Sequence, residues 1–230
     1  YNSALGTFSL MDNTTGQANS ALGYKALENN TSGSNNTAFG YEALSDNTTG
    51  IGNTSSGMYS LYENTTGDYN TASGYEALRY NTTGDYNTAS GYQAGRNITT
   101  GSNNTAMGYE AGDVITTGSN NTIIGYQADP SANNASNQIV IGKGATGQGD
   151  NYAVIGNADV TRVYAAQDAG ATLYAGGLNI GGTAVTSTAT ELNLVDGSSA
   201  GTIVNSKGVV YGSSGEVLSL IHISEPTRQA

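Results

Sequence analysis

Asn70-Thr71-Ala72-Ser73-Gly74-Tyr75-Glu76-Ala77-Leu78 is the stretch that decides the fold, because with small changes it returns every 17 residues. Asn stands at 2, 19, 36, 53, 70, 87, 104 and 121, and Gly at 6, 23, 40, 57, 74, 91, 108 and 125. A second Gly column runs through 16, 33, 50, 67, 84, 101 and 118. A fixed period over eight copies is the mark of stacked repeats, and it takes precedence over any local reading of helix or strand. The 33 Gly and 11% charged residues would by composition suit a disordered chain. A solvated polymer, however, has no reason to hold Gly in phase.

One copy runs from Asn36 through Gly40-Tyr41 and Asn47-Thr48-Thr49-Gly50 to Gly52. Several Gly per copy, each costing about 1 kcal/mol against Ala in a helix, argue against helix. Asn-Thr-Thr-Gly supplies a turn, and Thr37 to Leu44 supplies loosely alternating apolar residues. The expected fold is all-β, a parallel β-roll or β-solenoid of 17-residue coils. Eight coils cover residues 1–134 and give a rod about 40 Å long at about 4.8 Å per coil. Stacking makes ladders of Asn36, Asn70, Asn87 and Asn104, of Gly40, Gly74, Gly91 and Gly108, of Gly50, Gly84 and Gly101, and of Tyr41, Tyr75, Tyr92 and Tyr109. The Asn column suits side-chain amide ladders.

The core read from these columns is one Tyr, one Leu, one or two Ala and a variable position (Leu5, Leu22, Phe39, Ser56, Ser73, Ser90, Met107, Ile124). Facing outward, the Tyr row would offer contact area to sugars or proteins. Facing inward, it is core beside the small Ser73 and Ser90, and this is the preferred reading. Burying a Leu and a Tyr contributes about 2–3 kcal/mol each. Ordering a coil costs at least about 1 kcal/mol per residue. Backbone ladders and a partner chain are therefore expected to contribute.

Charge limits the partners. The chain carries −11 overall, and residues 1–134 hold three basic against eleven acidic side chains. No basic stripe favours nucleic acid or an anionic membrane, and no apolar run approaches the ~18–20 residues of a membrane span. The absence of Cys removes thiolate metal sites and Cys nucleophiles. The chain starts inside a repeat without a charged-then-apolar leader, which reads as a fragment boundary.

Beyond the array the pattern changes. Asn137-Gln138-Ile139-Val140-Ile141-Gly142 and Asn151-Tyr152-Ala153-Val154-Ile155-Gly156 lie 14 residues apart. Val160 to Tyr164 and Thr172 to Tyr174 read as strands, so 135–186 is taken as terminal coils with capping or neck strands. Residues 187–217 read as a connector with a capping-box helix at 188–195 and a strand at 202–210.

Asn151 to Gly156 resembles the Asn-Ser-Val-Ala-Ile-Gly head repeat of trimeric autotransporter adhesins (YadA-like). The 17-residue Asn-Thr-Ala-x-Gly-Tyr-x-Ala copies resemble a longer variant in bacteriophage tail fibres, as does Thr190 to Gly197. The resemblance covers residues 1–217 and departs from the adhesin heads in its longer period. It implies a left-handed roll, a homotrimer, an extracellular location and multivalent attachment to a host cell-surface glycan or protein. Leu218 to Arg228 looks like the translation of a transposon-type sequencing adapter, so 218–230 is set aside as a non-native tail.

Catalysis has little support. The single His222 lies in that tail, leaving no Ser-His or Cys-His pair. Asp46, Glu63 and Asp113 read as solvated turn carboxylates. Asp68 and Asp85 are not in the Gly-Gly-x-Gly-x-Asp pattern that wraps calcium. Asn13, Asn30, Asn47, Asn64, Asn81 and Asn97 form Asn-x-Ser/Thr triplets, read as turn chemistry rather than glycan acceptors. No enzyme, cofactor or metal is expected. The alternative function is an ice-binding or other free-standing solenoid, with the Thr37, Thr71, Thr88, Thr105 and Thr122 column as a flat water-ordering array.

Overall fold

The computed structural model describes residues 1–163 and the strands Leu178–Ile180 and Thr183–Val185. Ten three-residue strands follow one another: β1 (Ser3–Leu5), β2 (Ser20–Leu22), β3 (Thr37–Phe39), β4 (Thr54–Ser56), β5 (Thr71–Ser73), β6 (Thr88–Ser90), β7 (Thr105–Met107), β8 (Thr122–Ile124), β9 (Ile139–Ile141) and β10 (Ala153–Ile155). They form one parallel sheet in sequence order, each strand paired only with its neighbours in the chain. Thr71 pairs with Thr54 and Thr88, so like residues stand on like residues. This is the β-solenoid expected from the period. The step shortens to 14 residues between β9 and β10, where Ala153 pairs with Ile139.

Outside its strand, each coil is turns. Besides the Gly that ends each strand, three positions per coil take positive φ: the residue before the first Asn (Tyr69, +55°), the residue after Tyr (Glu76, +52°) and the Leu (Leu78, +52°). Each left-handed residue costs about 1–2 kcal/mol. The strain is offset by backbone bonds to both neighbouring coils: Glu76 N–H donates to Met58 O at 3.0 Å, and Leu78 N–H to Ala94 O at 3.1 Å.

The core is thinner than the columns implied. It holds the middle strand residue (Ala38, Ala72, Ala89, Ile123, Val140), the Ala just before the Leu position (Ala43, Ala77, Ala94) and the Leu column (Leu27, Leu44, Leu61, Leu78). Tyr and the variable position, read as core, are outside. Tyr41 and Phe39 are 42% and 46% exposed. Alternation is the reason: with Ala72 inside, strand residues one and three must face out. Gly74, at φ +135°, then ends the strand and leaves Tyr75 at an outer corner.

Core substitutions are paired. In the fourth coil Ser55 and Ser60 replace both core Ala, and Ser55 Oγ donates to Ser60 O at 2.8 Å. In the sixth coil Gly95 replaces Leu, while Ile98 stands where earlier coils have Asn81 and Asn64. A Cβ on Gly95 would sit 3.1 Å from both Ile98 Cδ1 and Leu78 Cδ2. The apolar volume has moved three residues along the chain. Gly95→Leu alone is therefore expected to overpack, costing about 1–3 kcal/mol, and Ile98→Asn alone to empty the core, costing about 2–4 kcal/mol. The double variant restores the arrangement of earlier coils and should recover most of both losses. Urea melts of the four proteins check this; simple additivity would refute the swap.

Strands β11 (Leu178–Ile180) and β12 (Thr183–Val185) form an antiparallel pair, with Leu178 opposite Val185. They belong to a second unit, Tyr164–Ala230. The sequence reading did not single them out. Val160 to Val163 are not in a strand, contrary to expectation. The strand at 172–174, the helix at 188–195, the strand at 202–210 and the tail from 218 lie outside the described residues.

Candidate functional site

Two Asn columns knit the coils together from inside. In the first, Asn70 Oδ1 accepts the Asn87 backbone N–H at 2.9 Å, and Asn70 Nδ2 donates to Gly84 O at 2.8 Å. Asn36, Asn87 and Asn104 repeat the second bond to Gly50, Gly101 and Gly118, each at 2.8 Å. All four are buried. The expected amide-to-amide ladder forms in this column only over its last copies, where Asn104 Nδ2 donates to Asn87 Oδ1 at 3.1 Å and Asn121 Nδ2 to Asn104 Oδ1 at 3.0 Å; a longer run lies in the triplet column. Asn47 Nδ2 donates to Asn30 Oδ1, Asn64 to Asn47 and Asn81 to Asn64, at 2.7–2.8 Å. Asn81 also donates to Gly84 O at 3.0 Å, so both columns converge on one carbonyl. A Cβ on Gly50 or Gly84 would strike the next coil's Gly carbonyl and the Asn amide. Asn30, Asn47, Asn64 and Asn81 are fully buried and offer no acceptor nitrogen to a glycosyl group. The sequence-named Asn and Gly ladders are thus structural. At Gln138 the amide is one methylene longer and turns to Ser131, with Nε2 donating to Oγ at 2.7 Å.

The surface is where function must lie, and it has three kinds of strip. The first is the outer face of the sheet. One row reads Ser3, Ser20, Thr37, Thr54, Thr71, Thr88, Thr105, Thr122, Ile139, Ala153. The other reads Leu5, Leu22, Phe39, Ser56, Ser73, Ser90, Met107, Ile124, Ile141, Ile155. Neither contains a charge. An apolar depression of about 330 Å³ lies among Leu5, Leu22 and Phe39 at one end.

The second is tyrosine. Tyr75, Tyr92, Tyr109 and Tyr126 stack with ring centroids 5.0–5.1 Å apart and planes within 12°. Tyr24 stacks on Tyr41, and Tyr69 on Tyr86. Because the rings cover each other's faces, a partner meets their edges and hydroxyls. A hydrogen bond to Glu42 pushes the Tyr41 phenol up to about 12. Burial, then the adjacent Glu110, raises Tyr109. At the break in the column Met58 stands in for Tyr, and Tyr59 meets Tyr41 edge-on at 5.5 Å.

The third is acidic. Asp46 accepts from Asn29 Nδ2 at 3.0 Å, and burial raises its carboxyl. Asp68 and Asp85 serve as ladder acceptors for the N–H of Ile51 and Asp68, both at 2.8 Å. The buried Glu76 binds Gln93 at 2.7 Å and pairs with Arg79 and with Arg96, whose Nε lies 2.9 Å away. Burial alone would raise the Glu76 carboxyl; the Gln93 amide and the two guanidinium groups outweigh it and hold it low. The Arg79 guanidinium sits over Tyr59 and Tyr80 at 5.0 and 5.2 Å, while the buried Nε atoms of Arg79 and Arg96 make no hydrogen bond among the described residues. Among the described residues no three His, Cys, Asp or Glu gather as a metal site, and no helix is long and apolar enough to cross a membrane.

Asp129 is half-buried in the position that earlier coils give to Leu, with Oδ1 unpartnered. Burial, and then Asp113, push it up to about 6. A carboxyl raised above its unfolded value near 3.9 holds its proton longer in the folded state. Its stabilising contribution is full below about pH 4 and lost as pH rises through about 6. Asp129→Asn should therefore raise the urea midpoint at pH 7 and leave it nearly unchanged at pH 4; an equal shift at both would refute the assignment.

Compared with family models, curated proteins and solved structures, the chain matches none.

Proposed function

We propose that this chain is a structural and adhesive segment of an extracellular fibre, a phage tail fibre or a bacterial surface adhesin. In this reading its copies bundle side by side and attach to host-surface glycan or protein. The observation that carries the reading is the uncharged sheet face. On a chain of net charge −11, it is the strip along which identical copies can approach without like-charge repulsion, and it exposes Leu22, Phe39, Met107, Ile139 and Ile155. Charge depletion with large apolar side chains is the composition of an interface centre. The resemblance to trimeric adhesins sets the number at three. The tyrosine row remains outside and recurs along the array, so that weak contacts add by avidity.

Light scattering on the full chain, with circular dichroism alongside, tests this. A trimeric mass with β signal supports it and directs a glycan and cell-binding screen. A folded monomer overturns it.

A second reading, ice binding, draws on the hydroxyl row from Ser3 to Thr122 facing outward on one sheet. It requires that face to be free, and so predicts a monomer with thermal hysteresis.

A further inference from the structure

The outer sheet face is banded along the rod. In its second row the side chains of β1–β3 are Leu5, Leu22 and Phe39; those of β4–β6 are Ser56, Ser73 and Ser90; those of β7–β10 are Met107, Ile124, Ile141 and Ile155. The exposed Thr54, Thr71 and Thr88 flank the serines, so the middle three coils present hydroxyls in both rows. The folding core does not require this, since Ala72 and Ala89 fill it behind Ser73 and Ser90.

We infer that the copies meet through this face in parallel and in register, each hydroxyl band lying on the bands of its neighbours between two apolar seals. The inference rests on the fibre reading above. Any slip by several coils places the hydroxyls of Ser56, Ser73 and Ser90 against Phe39 or Met107. Those hydroxyls then lose water without gaining partners, a cost of about 1–3 kcal/mol per group. In register, hydroxyls face hydroxyls and bridging water satisfies them. An antiparallel pair can also align the two bands, because they lie near the middle of the sheet. That arrangement leaves β10 overhanging, with Ile155, 59% exposed, still uncovered. Parallel packing covers all ten strands. The band thus acts as a register mark on a surface whose repeats would otherwise fit one another at many offsets.

The chain lacks Cys, so a single introduced thiol reports one position. Ser20→Cys on β2, Ser73→Cys on β5 and Thr83→Cys on an exposed turn are each treated with a bis-maleimide reaching about 10 Å, the spacing of facing sheets. S20C and S73C should each link to themselves roughly tenfold or more faster than T83C, reflecting intramolecular effective concentration. A mixture of S20C and Thr122→Cys chains should give no S20C–T122C link. An oligomer in which T83C links and S73C does not would overturn the face while leaving the fibre reading standing. Linking of S20C to T122C would overturn the parallel register. A monomeric mass for the unmodified chain would overturn the fibre reading and this inference with it.

Discussion

Gly74→Val should be the most damaging single substitution in the array, lowering stability by about 4 kcal/mol through strain and overpacking together. Gly74 holds φ at +135°, a region that residues with a Cβ scarcely enter. A Cβ there would lie 2.7 Å from the Gly91 carbonyl carbon and on top of its oxygen. Neither contact is with a flexible side chain, so the coil spacing itself would have to open. In a stack held by nearest neighbours, one opened step uncouples the coils on either side. The urea melt followed by circular dichroism should move to lower midpoint and split. Asp68→Ala, in the adjoining turn, is the comparison. It removes one acceptor from the Ile51 N–H, 2.8 Å away and part-buried, at about 1 kcal/mol. Equal midpoints for the two variants would sink the register described here.

Asn70→Ala is expected to cost about 3 kcal/mol, more than its small change in volume suggests. The Asn87 backbone N–H has Asn70 Oδ1 as its acceptor, and both residues are buried. Truncation leaves that donor orphaned, at about 1–3 kcal/mol, and removes a further bond worth about 1 kcal/mol. Gly84 O keeps the Asn81 amide at 3.0 Å, which limits the loss on that side. Thr83→Ala, exposed on the same turn, should be nearly silent. Hydrogen exchange offers a second check: the Asn87 amide should lose protection in Asn70→Ala while amides several coils away keep theirs. Midpoints for Asn70→Ala and Thr83→Ala within a few tenths of a kcal/mol would mean that the inner amides do not hold the coils.

These two residues mark where the sequence reading was sufficient and where it was not. An unbroken Gly column has few physical explanations, and a close backbone contact with positive φ is the commonest. The role of Gly74 was therefore legible before any coordinates. An unbroken Asn column has more. It suits an exposed amide ladder, a turn, or a buried side chain bonded to backbone, and composition does not choose among them. The structure gives Asn70 the last role and Asn64 the amide ladder. The same ambiguity misplaced Tyr75 and Phe39. Aromatic and aliphatic residues recurring in phase usually mean core, but this interior has room for little beyond Ala and Leu, and alternation sends the larger residues out.

What the 17-residue period determined by itself was the architecture. Parallel coils in register are the only arrangement that sets each Gly column on its own copies, where carbonyls of the next coil exclude a Cβ. What only the tertiary structure decided was inside and outside. That choice depends on which strand position faces the narrow interior, and a one-residue slip reverses it for every side chain. It turned the sheet's second row from presumed core into a banded, uncharged outer face.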